Sequence, residues 1–221
     1  MKNILPWFAL KSVPGVGNHL YKRIINRFKS PEAAFGASGD ELMRVEGITE
    51  KLAAAIRKHK THDDAKKEID LAFEKGFRIV TMADSDYPHL LLEIPDPPPF
   101  LYVSGTLDGF SDKVAVVGSR NATDYGVSMT KILCADLASY GITVVSGMAR
   151  GIDTAAHEGA LEGNGRTIAV LGSGLERIYP AQNKKLFKMI SENGAVVSEL
   201  SLNAEPDAFN FPARNRIISG L

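Results

Sequence analysis

The second half of the chain contains four apolar, β-branched runs at regular spacing, and this pattern constrains the fold more than any other feature. The runs begin at Val114, Ile142, Thr167 and Ala195, at intervals of 25 to 28 residues. Residues 125–140, between the first two runs, have the apolar spacing of a helix. Buried strands that alternate with helices in this way indicate βαβ units. Because such crossovers are right-handed, the pattern predicts an α/β fold with a Rossmann-like, mostly parallel sheet.

The first sixty residues have a different pattern, in which two glycine-containing turns each precede a short helix. One turn covers residues 13–17 (Val-Pro-Gly-Val-Gly) and the other covers residues 45–49 (Val-Glu-Gly-Ile-Thr). Glycine permits the tight turn of a helix-hairpin-helix motif, whose exposed helix amides suit a nucleic-acid phosphate. The second copy has Thr49 in place of the second glycine, and Glu46 beside the turn would repel a phosphate. Both turns could instead simply pack a small helical domain.

These patterns predict two domains. Residues 1–62 form a small all-α domain of the helix-hairpin-helix or SAM-like type, and residues 63–221 form an extended Rossmann-like domain. The proline-rich stretch 94–99 lies in the second domain, where we expect an extended connector because proline disrupts helices and central strands. The chain stops in the apolar residues Ile217, Ile218 and Leu221, so we expect the domain to continue beyond residue 221.

The charge is balanced overall but unevenly distributed. The chain has 26 basic and 26 acidic residues, while residues 1–60 have a net charge of +6 and residues 61–112 one of −7. A basic segment can hold an anionic partner, although a solvated helical surface would have the same composition. The single cysteine, Cys134, excludes a disulfide framework and a zinc–cysteine cluster and fits a cytoplasmic location. No apolar run approaches the ~18 residues of a membrane span.

The predicted strands end in small and basic residues that favour an anion-binding site. The carboxyl ends of parallel strands meet at one edge of the sheet, where ligands of such folds bind. Glycine lets backbone amides approach an anion, hydroxyl groups donate hydrogen bonds and arginine pairs with it bidentately. The strand-end residues that we assign to this site are Gly118, Ser119, Arg120, Ser146, Gly147, Arg150, Gly172 and Ser173.

The sequence contains few arrangements typical of an enzyme or a cofactor site. It lacks a complete dinucleotide fingerprint, a P-loop and a nucleophile elbow. We therefore expect no cofactor, no metal and no catalytic residues. Asp153 and His157 share a helix face, and we expect Asp153 to cap the helix and orient His157 rather than form an acid–base pair with it. Glu199 follows the last strand and could act as a general base or accept hydrogen bonds from loop amides.

The last motif combines aromatic, basic and amide side chains over residues 209–218. Arg214, Asn215 and Arg216 could hold phosphates while the aromatic residues before them stack on a base. The alternative is a helix that begins after Pro212, with its arginines in salt bridges and Phe211 in the core. The sequence leaves both interpretations open.

Several of these motifs, in this order, resemble the DprA/Smf family, the DNA-processing proteins of bacterial natural transformation. The resemblance covers nearly the whole chain. It rests on Gly118-Ser119-Arg120, on residues 146–153 with His157, on residues 171–174 with Tyr179-Pro180, on Ser198-Glu199, on residues 211–216 and on the connector 87–102.

The resemblance implies a cytoplasmic, non-catalytic protein that binds and protects incoming single-stranded DNA, helps load the RecA recombinase and forms a homodimer. Gly118, Ser119 and Arg120 would then line the phosphate pocket, with Ser146, Gly147 and Gly172 nearby. The family commonly has a DNA-contacting lysine after the Tyr-Pro pair, where this chain has Ala181, so we expect Lys184 or Lys185 to supply that charge. The alternative is a nucleotide-processing phosphoribohydrolase of the lysine-decarboxylase-like type, whose Pro-Gly-Gly-x-Gly-Thr loop this sequence lacks.

Overall fold

The computed structural model describes residues 3–59, 63–107, 109 and 112–221. Its contacts divide the chain into two compact units: Met1–Lys75 with Ile79–Phe100, and Gly76–Arg78 with Leu101–Leu221. The contacts therefore group residues 63–75 and 79–100 with the helical segment. The boundary predicted at residues 62 and 63 adjoins positions outside the described residues and stays a prediction.

The first unit consists mainly of short helices around an apolar core. Trp7, Leu10, Tyr21, Ile24 and Ile56 are buried in it, and the rings of Trp7 and Tyr21 stack with their centroids 5.9 Å apart. The described helices and strand are α1 (Leu5–Ser12), α2 (Asn18–Phe28), α3 (Pro31–Gly36), α4 (Gly39–Met43), α5 (Glu50–Lys58), α6 (Asp63–Glu74), β1 (Arg78–Thr81, whose first residue falls in the second unit) and a 3-10 turn (His89–Leu92).

Both predicted hairpin turns are present, and each is followed by the expected helix. Gly15 and Gly47 have φ near +96°, a backbone conformation that strongly favours glycine. The two turns differ at the start of the following helix. The Thr49 hydroxyl accepts a hydrogen bond from Leu52 N at 3.3 Å, whereas Gly17 gives α2 no side-chain cap. The departure from glycine at position 49 therefore supplies a helix cap.

The second unit contains the predicted mostly parallel sheet. Among its strands the order is β2–β6–β5–β4–β3; neighbours from β3 to β6 run parallel, and β2 pairs antiparallel with β6. The elements are β2 (Phe100–Gly105, whose first residue falls in the first unit), β3 (Lys113–Ala115), α7 (Asp124–Ser139), β4 (Thr143–Ser146), α8 (Ile152–Glu162), β5 (Thr167–Val170), α9 (Lys184–Asn193), β6 (Ala195–Ser198) and α10 (Asn210–Gly220).

The sequence explains this arrangement. Strands β4, β5 and β6 are buried at every position, as their unbroken apolar and threonine or serine composition requires. The order of β3 to β6 in the sheet follows their order in the chain, so right-handed crossovers place α7, α8 and α9 on one face. The carboxyl ends of β3, β4, β5 and β6 consequently meet at one edge. Among the residues that the structure describes, no helix has the length and hydropathy that a membrane span requires.

Candidate functional site

A cavity of about 490 Å³ opens at the carboxyl edge of the parallel strands. The loops after β3 and β4 and the first turns of α10 form its walls. Four of the residues predicted from the sequence line it: Gly118, Arg120, Arg214 and Asn215. The rest of the wall is formed by Val117, Ala149, Asp153, Tyr179, Pro206, Ala208, Phe211 and Pro212.

The loop after β3 is fixed to the start of α8. Ile152 N donates a hydrogen bond to Ser119 O at 3.2 Å, and the Ser119 hydroxyl accepts one from Asn121 N at 3.1 Å. Gly118, Ser119 and Arg120 are nevertheless exposed. The loop therefore presents a defined backbone and one basic side chain to solvent at the mouth of the cavity.

Asp153 joins two strand-end loops from beneath. Its buried carboxylate accepts hydrogen bonds from Gly118 N and Ala149 N, both at 3.4 Å. Burial raises the pKa of this carboxyl, and the bonds from these amides and the charge of Arg214 partly oppose the shift. The expectation that Asp153 caps α8 and orients His157 is wrong, because Gly151 is the N-cap of α8 and the described hydrogen bonds of the carboxylate are with these loops.

His157 is held by a strand residue instead. The Thr167 hydroxyl donates its hydrogen to Val144 O at 2.7 Å, so it accepts from His157 Nδ1 at 2.7 Å. Burial, together with the charge of Arg214, lowers the pKa of His157 to about 3. The imidazole is therefore neutral near pH 7 and packs in the protein interior.

Arg120 is the exposed cation of the cavity wall. Its guanidinium carbon lies 4.9 Å from the centroid of the Phe211 ring, a cation–π arrangement. In the described part of the chain the carboxylate of Glu199 pairs with Arg216 rather than with Arg120, and it accepts a hydrogen bond from Arg216 Nη2 at 2.7 Å.

Arg214 has a different role because its side chain is buried. Its Nη1 donates to Gly147 O at 2.8 Å and also to Val170 O, and its Nε donates to Asn215 Oδ1 at 3.2 Å. Burial lowers the pKa of Arg214 to about 10; the charge of Asp153 opposes the shift and that of Arg120 adds to it. Arg214 thus stays charged near pH 7 and ties the ends of β4 and β5 together from inside.

The remaining predicted residues lie beneath the cavity or away from its wall. Gly147 and Gly172 are buried against Arg214 and Phe211, respectively. The buried hydroxyls of Ser146 and Ser173 donate to Val116 O and Arg177 O. Arg216 forms the ion pair with Glu199. The exposed Arg150 and Lys184 do not line the cavity, and Lys185 lines a second cavity between α7, α8 and α9.

Sequence reasoning missed two features of this wall. The loop segment that contributes Pro206 and Ala208 has no motif that would mark it. The stack of Arg120 on Phe211 joins residues distant in the chain, so no local pattern could reveal it. Within the described ranges, no group of three or more His, Cys, Asp or Glu side chains is arranged to hold a metal ion.

A Rossmann-like sheet with a cavity on its carboxyl edge places the chain in the class of α/β proteins whose candidate sites lie at strand ends. Within this class, the chain belongs to the family described as DNA recombination-mediator protein A, whose family model matches residues 78–221. A second model, the SAM-like helix-hairpin-helix tandem, matches residues 9–59. Both the family membership and the fold class expected from the sequence are confirmed.

Named relatives support this assignment. Protein Smf of Synechocystis is 43% identical over 220 residues, which cover 97% of this chain and 55% of that protein. The X-ray structure of DNA processing protein A (DprA) from Streptococcus pneumoniae matches 99% of this chain and 76% of its own, with a TM-score of 0.81 and 31% identity. A structure of DNA processing protein A from Helicobacter pylori, described for its single-stranded DNA binding mode, matches 65% of each chain with a TM-score of 0.59 and 33% identity. The chain spans about half the length of the curated relatives it matches.

Proposed function

We propose that this chain binds single-stranded DNA at the cavity on the carboxyl edge of the sheet and acts as a DNA-processing recombination mediator. In this proposal it protects incoming DNA and helps load the RecA recombinase, as a cytoplasmic homodimer that binds without turnover. The family and the single-stranded DNA named for the Helicobacter pylori relative support the proposal.

One observation carries the DNA-binding assignment. The exposed guanidinium of Arg120 lies at the mouth of a cavity that also contains the charged side chain of Arg214. Guanidinium groups pair bidentately with phosphate. The glycine at position 118 makes room for Ile152 rather than for a ligand, because a β-carbon there would lie 2.7 Å from Ile152 Cγ1. The two cations therefore suit a DNA phosphate better than an uncharged ligand.

The hydrogen bonds and ion pairs of the acidic and imidazole side chains near the cavity favour binding over catalysis. Asp153 is engaged with loop amides, and the imidazole of His157 is buried beneath the wall. Glu199, the candidate general base, is paired with Arg216. None of these three groups is therefore presented to a ligand in the cavity as a free acid or base. We propose that affinity for the DNA backbone, rather than turnover, is the activity of the site.

The test compares Arg120→Ala with Lys188→Ala in titrations of labelled oligo-dT at two salt concentrations. Lys188 is a suitable control because it is an exposed cation that pairs with Glu192 and does not line the cavity. Arg120→Ala should weaken binding by roughly 1.5–3 kcal/mol, the range of a hydrogen bond to a charged group. It should also reduce the salt slope by about 0.7, the value for one phosphate of a single strand.

Melting temperatures measured on the same preparations separate binding from folding. Both variants should have melting temperatures close to that of the unsubstituted protein. The described contacts of the Arg120 side chain are with the Phe211 ring and solvent, so its removal should cost little stability. Equal affinity of Arg120→Ala and Lys188→Ala for oligo-dT would contradict the assignment of the cavity.

A further inference from the structure

We infer that Phe211 is a positioning residue, whose ring holds the guanidinium of Arg120 at the mouth of the cavity. The consequence for DNA affinity rests on the proposed function, but the positioning itself follows from the contacts. Arg120 lies in the loop after β3, and Phe211 lies in the first turn of α10. The docking of α10 therefore determines where this arginine points.

The face of Phe211 is the contact that defines the Arg120 side chain. The guanidinium carbon lies 4.9 Å from the ring centroid, and Arg120 makes no carboxylate ion pair within the described part of the chain. A free arginine side chain loses rotamer entropy when it is immobilised on a ligand. An arginine already held over a ring loses less of this entropy on binding, so its contact with a phosphate is stronger.

The ring can hold Arg120 because its own position is fixed. Gly172, at the end of β5, lies so close that a β-carbon there would come within 2.7 Å of Phe211 Cδ1. The ring of Tyr179 packs against Phe211 with the centroids 5.8 Å apart and the planes at 50°. Residues at the sheet edge therefore fix the position of the Phe211 ring before any ligand binds.

The contact with Phe211 also opposes the electrostatic repulsion between the two arginines of the cavity wall. Arg120 and Arg214 both line the cavity, and two like charges repel each other. Without the ring, Arg120 would extend into solvent, away from Arg214. The attraction to the π face keeps both cations on the same cavity, where an anion bound between them would relieve the repulsion.

A double-mutant cycle on oligo-dT binding tests this inference, with Phe211→Leu and Arg120→Ala made singly and together. Phe211→Leu keeps an apolar side chain against Gly172 but removes the π face, so affinity should fall about two- to fivefold. The salt slope should stay unchanged because no charge is lost. In the Arg120→Ala background the same substitution should have almost no effect, and Phe211→Tyr should retain the affinity of the unsubstituted protein.

The side-chain NMR signals of Arg120 test the positioning without DNA. In the unsubstituted protein the ring current of Phe211 should shift them upfield relative to those of the exposed Arg150, and Phe211→Leu should abolish the shift. An unshifted Arg120 signal, or equal losses of affinity in both backgrounds of the cycle, would overturn the inference. If the shift is present but Arg120→Ala binds oligo-dT normally, the positioning stands and the proposed DNA site fails.

Discussion

Two buried ionisable side chains, one in the cavity wall and one beneath it, respond to burial in different ways. Arg214 keeps its charge because its pKa falls only to about 10, and three hydrogen bonds and the neighbouring Asp153 stabilise the cation. His157 loses its charge because burial and the same arginine disfavour the imidazolium. Each residue therefore allows a prediction about stability.

The stability of the protein should fall on acidification because of His157. Its pKa is lowered to about 3 in the folded state, so below about pH 6.5 the unfolded chain takes up a proton that the folded chain does not. Well below pH 6.5 this residue should cost about 1.4 kcal/mol of unfolding free energy per pH unit. Urea unfolding of the unsubstituted protein and of His157→Asn, which keeps an N–H donor but does not titrate, should show a difference that changes steadily from pH 7 to pH 5. Parallel stability curves would mean that His157 titrates alike in the folded and unfolded states, so that burial does not lower its pKa.

Gly147→Ala should destabilise the fold through Arg214. A β-carbon at position 147 would lie 2.5 Å from Arg214 Nη2, and this guanidinium cannot move without losing its bonds to Gly147 O and Val170 O. We expect a loss of about 1–3 kcal/mol, the usual cost of overpacking a buried site. Gly36→Ala is the matched control, since a β-carbon there meets nothing within 4 Å. Urea midpoints that are equal for the two variants would show that the arginine can relax.

At the scale of elements, two basic side chains of the first hairpin contact other groups of the first unit. Lys22 Nζ donates to Ile94 O at 3.0 Å, and Arg23 donates to Glu46 O at 3.1 Å while pairing with the Glu46 carboxylate at 3.3 Å. A phosphate would have to compete with these internal partners. We therefore expect residues 1–60 to modulate DNA affinity without creating it.

Gly47→Ala tests this expectation because it strains one hairpin. The φ of +96° at this position should make alanine unfavourable by about 1–2 kcal/mol, so the variant should melt at a lower temperature. The folded variant should bind oligo-dT within about twofold of the unsubstituted protein, which is less than 0.5 kcal/mol. Gly39→Ala is the control, because that glycine has no positive φ and open space around it. Loss of oligo-dT binding by folded Gly47→Ala alone would place the main DNA contact in the first unit.

At the scale of the whole molecule, the net charge is zero, so long-range attraction to DNA is weak and binding depends on local cation clusters. We expect the cavity of about 490 Å³, which is lined by Arg120 and Arg214, to accept part of one backbone strand rather than a duplex. Because of these two properties, we expect affinity to depend on whether the DNA is single-stranded or duplex.

Single-stranded DNA should bind more tightly than duplex DNA of the same length. A single strand can bend its backbone into the cavity, whereas a duplex backbone is held by base pairing. Fluorescence anisotropy with labelled oligo-dT and a matched duplex, at two salt concentrations, measures the difference. The logarithm of the affinity for oligo-dT should fall with the logarithm of salt by about 0.7 per phosphate neutralised. Equal or tighter duplex binding under matched salt would contradict the proposal.

The sequence by itself determined most elements of this protein and the edge of the sheet at which the candidate cavity lies. The β-branched runs at Val114, Ile142, Thr167 and Ala195 predicted β3 to β6, and the hairpin glycines predicted the helical segment, because periodicity and backbone preference act locally. Parallel strands then bring their carboxyl ends together whatever the loops contain.

The tertiary structure alone decided what each strand-end and helix side chain does. Arg120, Arg214 and Arg216 look alike in the sequence, yet one stacks on Phe211 at the cavity mouth, one is buried in the cavity wall and one pairs with Glu199. The difference depends on how α10 docks on the sheet edge, which sets the burial and the partners of each guanidinium. Burial and charge pairing arise between residues distant in the chain, and no local pattern encodes them.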